Sequence, residues 1–429
     1  MGRSEVAGAA DRRRELRRST NAAIRPLWNR IYIPNMLLAI GQGAMLPVLV
    51  YAAREVHGST AAAGALVAIN GFGTMLFDLP AGRIVSRLGE WRAGWVATGL
   101  LVVGLLGCLW ARSIVVLAVG VFVQAAGLAV WTLVRMTYLS RAAPVVGRGR
   151  ALSLFGGVMR AGNVIGPFAF VAVASRTDVR PAFVLYLAGV VIGFVWMLCA
   201  RDRTDTVARQ PSEERPPAAH LRENRRQFSA AGSVALGISL LRGSRTAIVP
   251  LWAVHIGLGP TGAAELVAFS SVIDLALFYP AGVASDRFGR RAVALPCILL
   301  LALGHLTIPF TDSFTTLFAA SFVLALGNGL GAGIVMTMGA DLAPDHGRAS
   351  FLAVWRMISD GGSAVGPLVD SAVVAVATLS VAGPVVAILG VATAAVMATF
   401  YEEPAHLRRP RSRQRAPAAL AEEALGPDG

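Results

Sequence analysis

The chain contains no lysine: all 39 of its basic residues are arginine. A Walker-type phosphate loop needs a lysine, so ATP hydrolysis by that route is excluded. Schiff-base and pyridoxal chemistry go with it, because both begin at the lysine amine. Charge of either sign is scarce. Only 15% of the 429 residues are charged and 55% are hydrophobic, too little charge to cover the surface of a soluble protein of this length. Cysteine is rare as well: Cys108, Cys199 and Cys297 lie far apart in apolar segments and read as small buried hydrophobes. His255, His305 and His346 lack metal-ligand spacing, so no metal site is expected; a proton relay at His305, inside an apolar run, is the lesser reading of that residue. No nucleophile, base and orienting group fall together, so neither enzyme chemistry nor a cofactor is expected.

What the chain has instead is a series of apolar runs, each long enough for the roughly 20 residues that cross a bilayer as helix. They lack the polar/apolar alternation of a membrane barrel. The reading is an all-α membrane protein of twelve transmembrane helices, near 31–53, 61–82, 93–111, 114–138, 151–174, 181–200, 231–255, 263–283, 293–311, 315–340, 350–373 and 381–401. A basic start before an apolar run could pass for a secretory signal. The first run is too long for that, and eleven more follow it, so it reads as an uncleaved first helix.

Arginine sets the orientation. Eight arginines fall in 1–30, seven in 201–230, five in 404–429, and ten in the short loops 83–92, 141–150, 287–291 and 341–349. The opposite side holds only Arg54, Arg112, Arg176 and Arg180. Positively charged loops stay inside, so both termini and the central linker are expected in the cytoplasm of a multi-pass cell-membrane protein. The net charge of +14 then reflects this rule and anionic lipid rather than nucleic acid.

The chain also repeats itself at an offset of 200 positions. Pro80-Ala81-Gly82 recurs as Pro280-Ala281-Gly282, Pro144 as Pro344, Gly147-Arg148 as Gly347-Arg348, and Gly162-Asn-Val-Ile-Gly166-Pro167 as Gly362-Ser-Ala-Val-Gly366-Pro367. Both copies start on the same side of the membrane, so they form parallel six-helix bundles, the build of a secondary transporter whose substrate sits between its halves. The expected organisation is a basic tail over 1–30, bundles over 31–200 and 231–401, a Pro/Arg/Glu-rich linker over 201–230, and a second tail over 402–429.

Between the second and third spans of each half lies a charged turn. The second-half copy reads Gly282-Val-Ala-Ser-Asp286-Arg287-Phe-Gly289-Arg290-Arg291; the first-half copy, Gly82-Arg-Ile-Val-Ser86-Arg87-Leu-Gly89-Glu90, has Ser86 in place of the Asp. With these motifs the chain resembles the major facilitator superfamily over nearly everything between Arg30 and Glu402. The resemblance implies a gate: Gly82, Arg87, Gly89, Gly282, Asp286, Arg287, Gly289 and Arg290 would latch the cytoplasmic side, more weakly where Asp is lost. Physically, glycines permit a tight turn and an Asp beside a helix end holds neighbouring helix termini. The paired Gly-x-x-x-Gly-Pro (Gly162, Gly166, Pro167; Gly362, Gly366, Pro367) puts two glycines on one helix face and a bend after them. A longer form of this motif marks the family's proton-coupled drug exporters. Phe170-Val171 stand where the trailing glycines of that form would be.

Ionised residues inside a bilayer cost about 2.5–3.5 kcal/mol each on insertion scales, so each is a functional candidate with a partner. They are Asp78, Arg135, Arg160, Arg242, Arg245, Asp274, Arg356 and Asp360, with Asp370 near the outer end of helix 11. In the family, helices 2 and 11 face each other across the halves, as do 5 and 8. Two inter-half pairs are therefore expected, Asp78 with Arg356 and Asp274 with Arg160, with Asp360 competing for Arg356. Arg242 and Arg245, three apart on helix 7, either attract an anionic group or are neutralised by acids such as Asp274. Gln42, Gln124, Trp131, Trp252 and Asn328 complete the cavity candidates, and Pro47 and Pro250 are expected to break helices 1 and 7. The glycine-rich run 327–333 lacks a basic anchor and reads as close helix packing.

The expected activity is proton-coupled export of a small amphipathic molecule, with Asp274 and Asp360 as proton carriers and Asp78 as a gate. Transport of an organic anion through Arg242 and Arg245 is the alternative, and a non-transporting membrane sensor a third. One chain suffices for the mechanism, and the expected partners are substrate, protons and lipid.

Overall fold

Gly89 and Gly289 are the hinges on which the two halves are laid out. Their φ values are 76° and 97°, a region open to glycine at little cost, and at each the chain turns back within a single residue. The computed structural model describes residues 27–142, 148–174, 178–199, 225–331, 333–343 and 348–403. The tails, most of the 201–230 linker, Pro144, Gly147, Pro344 and Gly347 lie outside the described residues.

Every regular element among the described residues is helical. Helix α1 covers Trp28–Glu55. The stretch Thr60–Leu109 holds α2 before Gly89 and α3 after it. Helices α4 (Ile114–Ala142), α5 (Arg148–Val173) and α6 (Arg180–Cys199) complete the first half. The second half holds α7 (Arg225–His255), α8 (Pro260–Phe288), α9 (Arg290–Thr307), α10 (Phe314–Gly331 continuing as Ile334–Leu342), α11 (Arg348–Val376) and α12 (Leu379–Phe400). Among the described residues, eleven stretches are long and apolar enough, by length and composition, to cross a membrane. The twelfth, α11, carries Arg356, Asp360 and Asp370 within it.

Three boundaries differ from expectation. The charged turns at 83–92 and 287–291 are mostly helix, because one glycine suffices to reverse the chain. Helix α7 begins at Arg225, inside the expected linker. Pro47 converts one turn of α1 into a 3₁₀ segment, Leu46–Val48, whereas Pro250 lies within a continuous α7.

Within each half the glycine pairs set the packing. A Cβ on Gly162 would stand 2.6 Å from Ala39 Cβ, and Gly166 lies against the backbone of Ile40 and Ala44. The second half repeats this, with Gly362 and Gly366 of α11 against Leu236, Leu240 and Ser244 of α7. The glycines thus seat α5 on α1 and α11 on α7.

Between the halves, α2 and α11 meet along a stripe of small residues. Gly64 faces Ser371, Gly71 faces Ala364, and Met75 Sδ lies 3.5 Å from the Cβ position of Gly361. Seven-residue spacing keeps these positions on one face. Two hydrogen bonds tie the halves at the arginine-poor end: Tyr51 Oη donates to the Leu258 carbonyl at 2.9 Å and Ser371 Oγ to the Ala61 carbonyl at 2.7 Å. Phe168 and Phe269 add an edge-to-face contact between α5 and α8, with ring centroids 5.9 Å apart.

Candidate functional site

Where α1, α5, α7, α8 and α10 converge, they enclose a cavity of about 230 Å³. Leu46, Pro47, Val249, Val267 and Leu324 give it apolar walls, and Gln42, Asn163, Thr246, Ser270, Ser271 and Ser321 place polar atoms among them. Arg245 supplies the one charge in this lining.

Arg245 is not alone. Its Nη2 lies 2.9 Å from Asp274 Oδ2 and its Nη1 3.4 Å from Oδ1. Asn328 Nδ2 donates to the same Oδ2 at 2.8 Å, and Asn328 Oδ1 accepts from Arg242 Nε at 2.7 Å. Helices α7, α8 and α10 are thereby joined by one network, Arg242–Asn328–Asp274–Arg245. The amide of Asn328 suits the middle of it, since it donates and accepts at once.

The expected inter-half pairs give way to others. Asp274 takes its guanidinium partner from α7 rather than from Arg160 of α5, because the neighbouring helix of the same half turns Arg245 directly onto it. Arg160 places its guanidinium 4.0 Å from the Phe278 ring centroid of α8, so that contact does cross the halves, as a cation–π interaction. Arg356 binds Asp360 one turn along α11, Nε to Oδ2 at 3.2 Å. Asp78 stands across from this pair within electrostatic range, but the salt bridge is made inside one helix.

Three cavity candidates sit elsewhere. Gln124 donates to Tyr186 Oη at 3.2 Å inside the first half, and Trp131 Nε1 donates to Asn35 Oδ1 at 3.1 Å. Trp252 Nε1 donates to the Thr311 carbonyl at 3.0 Å, tying α7 to the α9–α10 connection. All three are buried; a buried polar side chain calls for such a partner, and protein supplies it for these three N–H groups, while Gln124 Oε1 has no hydrogen-bond partner among the described residues. Gln42 and Arg245 line the cavity, and Asn328 and Arg242 stand behind it.

The second-half turn motif forms a clamp at the arginine-rich end. Arg290, only 5% exposed, donates to Asp286 Oδ1 at 2.6 Å, Ser285 Oγ at 2.9 Å and Asp341 Oδ2 at 2.9 Å. Glu403, after α12, accepts the backbone N–H of Arg290 and Arg291 at 3.2 and 2.5 Å, capping α9 where its free N–H groups need an acceptor. Arg291 also donates to the Ala398 carbonyl. In the first half Ser86 Oγ donates to the Arg83 carbonyl at 3.0 Å, and Arg87 is exposed. Arg287 lies 5.4 Å from the Phe288 ring centroid. Gly282 has no heavy atom within 4 Å of its Cβ position, and Gly82 has only a Leu133 methyl, at 4.0 Å.

Sequence reasoning missed Asn163, Ser270, Ser271 and Ser321. Adjacent serines inside an apolar helix were the available signal for two of them, and the position between the motif glycines for Asn163.

The sequence matches the Major Facilitator Superfamily over residues 31–241 and again over 233–427. The chain belongs to that superfamily. An uncharacterized MFS-type transporter of Bacillus subtilis (strain 168), YfkF, is 23% identical to this transporter over 280 residues, 60% of this chain and 68% of the relative. Among solved structures, a POT family transporter in complex with 5-aminolevulinic acid superposes with a TM-score of 0.73 at 12% identity, covering 88% of this chain and 96% of that one. The xylose transporter XylE from E. coli, in a partially occluded inward open conformation, gives 0.67 at 13% identity over 89% and 98%. Identities this low establish the shared fold. The two six-helix bundles of the transporter are therefore the superfamily's architecture.

Proposed function

We propose that the transporter moves a small amphipathic molecule out of the cell by alternating access, in exchange for protons. The observation that carries this reading is the cavity between the halves, apolar on Leu46, Pro47 and Val249 and polar on Gln42, Asn163 and Ser271, with the Arg245–Asp274 pair at its wall. A proton on Asp274 cancels its charge and loosens Arg245; its loss lets the pair re-form. Substrate and proton would thus compete for one network, which is what exchange requires. The direction rests on the likeness of the Gly-x-x-x-Gly-Pro motif to that of the exporters.

The arginine bias supports a cytoplasmic arginine-rich end, with both termini and the 201–230 linker inside. On that orientation the structure is sealed outside by Tyr51, Ser371 and the α2–α11 stripe. Arg356 and Gly282 stand uncovered inside, as in an inward-facing state. The superfamily motif at 282–291 would close that end when the halves rock. The 31–200 and 231–401 bundles are the rocking bodies, and a single chain carries both.

A second reading is an organic anion as substrate. It is favoured by the charge count of the network, which holds two guanidinium groups against one carboxylate: Arg245 pairs with Asp274, and Arg242 reaches that carboxylate only through Asn328.

The test is pH-gradient collapse in energised inverted vesicles challenged with amphipathic cations, neutral compounds and organic anions. Collapse by cations or neutrals that is lost in Asp274→Asn supports proton exchange. A response confined to anions and lost in Arg242→Gln supports the second reading. Silence across the panel argues against both.

A further inference from the structure

Away from the cavity, three side chains on three helices form a second buried polar chain. Asp370 of α11 is fully buried. Its Oδ1 lies 3.0 Å from Ser244 Oγ of α7, and its Oδ2 has no hydrogen-bond partner among the described residues. Ser244 Oγ in turn lies 3.1 Å from Nε2 of His305 of α9, which is equally buried. His305 Nδ1 lies 2.7 Å from the Leu301 carbonyl. A carbonyl only accepts, so the hydrogen of a neutral His305 sits on Nδ1 and leaves Nε2 a bare acceptor.

Counting hydrogens decides the state. The Ser244 hydroxyl has one hydrogen and faces two groups, Asp370 Oδ1 and His305 Nε2. With an ionised Asp370 and a neutral His305 it serves one and turns a lone pair on the other, in a place without water access. One further proton resolves the conflict, in either of two ways. Carried by Asp370, it is donated to Ser244 Oγ, whose own hydrogen goes to His305. Carried by His305 at Nε2, it is donated to Ser244 Oγ, whose hydrogen goes to Asp370. Both arrangements hold the same number of protons, one more than the conflicted state.

From α7 the neighbouring charge is Arg245, bound to Asp274 of α8. Helix α12 meets His305 through Gly383, α10 meets α9 through Leu324, and α2 meets α11 through Ala61 and Gly64; none of these is ionisable.

We propose that Asp370, Ser244 and His305 bind one proton, and that the occupied site holds the arginine-poor seam shut. Ser371, the next residue, makes the inter-half bond to Ala61, and Ser244 precedes Arg245 in the cavity wall. The site therefore joins the seam to the cavity. A proton leaving strands a buried carboxylate with an unpartnered oxygen, and hydrating it requires α11 to part from its neighbours, which opens the seam. This deepens the proton-exchange reading by naming where a proton is held.

The experiment uses the full chain in lipid nanodiscs, with Cys108, Cys199 and Cys297 replaced. Nitroxide labels go on His57→Cys and Asp312→Cys, exposed positions in arginine-poor connections of the two halves. Pulsed electron paramagnetic resonance then reads the separation of those ends as a function of pH. The ratio of long to short distances is expected to rise with pH, by at most about tenfold per pH unit for one proton. Asp370→Asn, whose amide donates to Ser244 as the acid would, is expected to stay short at every pH. Ser244→Ala cuts the chain and is expected to lose the response too, covering the case in which the Asn variant does not fold. Asp274→Asn is expected to keep it. A wild type without pH response, or either of the first two variants titrating as wild type, overturns the proposal. A distance change abolished by Asp370→Asn in a protein that moves no protons in vesicles leaves this site standing and sinks the exchange reading.

Discussion

At Asp274 two donors converge from different helices, Arg245 through both carboxylate oxygens and Asn328 through one. The pair's side chains are 15% and 14% exposed, so each charge depends on the other for most of its solvation. Breaking a buried pair by removing one member costs about 3–5 kcal/mol, far more than the pair itself contributes. Asp274→Ala is therefore expected to lower the melting temperature of the purified transporter markedly. Asp274→Asn combined with Arg245→Gln, which retires both charges, should recover most of that loss. A double variant no more stable than the single one would mean that the two side chains do not depend on each other. That Asp274 needed a partner was legible in the sequence, from the cost of an ion in a bilayer. The sequence offered two partners, Arg160 across the halves and the Arg242/Arg245 pair of α7, and could not choose between them, because the choice depends on how α7 and α8 are rotated about their axes. Arg356 carries the same lesson: of its two candidate partners, Asp78 across the halves and Asp360 four positions away on its own helix, the structure pairs it with Asp360.

Elements were more legible than contacts. A span announces itself by twenty apolar residues whatever it packs against, and the glycine spacing of α5 and α11 announced a close approach. The partners of that approach, α1 and α7, had to be seen. The motif glycines divide into three kinds with different expected behaviour. Gly166 and Gly366 lie against the backbones of α1 and α7, where nothing can yield without moving a helix. Alanine at either should destabilise the protein by about 1–3 kcal/mol, as overpacking does. Gly282 faces open space in this state, so Gly282→Ala should leave the melting temperature nearly unchanged. If the 282–291 motif closes the arginine-rich end, the same substitution should slow transport, since the glycine would be needed only in the other state. Full transport with unchanged stability would show that Gly282 is never covered. Gly289, at φ 97° and ψ 162°, forms a third case: there the backbone itself excludes a side chain, at about 1–3 kcal/mol. The loop expected over 287–291 shrank to this one residue for the same reason.

If the transporter works by alternating access, it exchanges one seam for another, and the arginine-poor seam is the one made here. A Cβ built on Gly64 would stand 3.3 Å from Ser371 Cβ. Disulfide-bonded cysteines usually have Cβ atoms about 3.5–4.5 Å apart, so Gly64→Cys with Ser371→Cys requires a shift of a few tenths of an ångström. In a background freed of Cys108, Cys199 and Cys297, this pair should oxidise readily and staple α2 to α11. If the halves must part at this end in every cycle, transport should stop on oxidation and return with a reductant. A cysteine at Gly282 should meanwhile keep reacting with a water-soluble thiol reagent supplied at the arginine-rich end, because the staple holds that end open. Transport at full rate with the disulfide intact would mean that the α2–α11 seam is a permanent joint, and the opening would then have to be sought along α5 and α8, where Phe168 and Phe269 hold the halves with no hydrogen bond of their own.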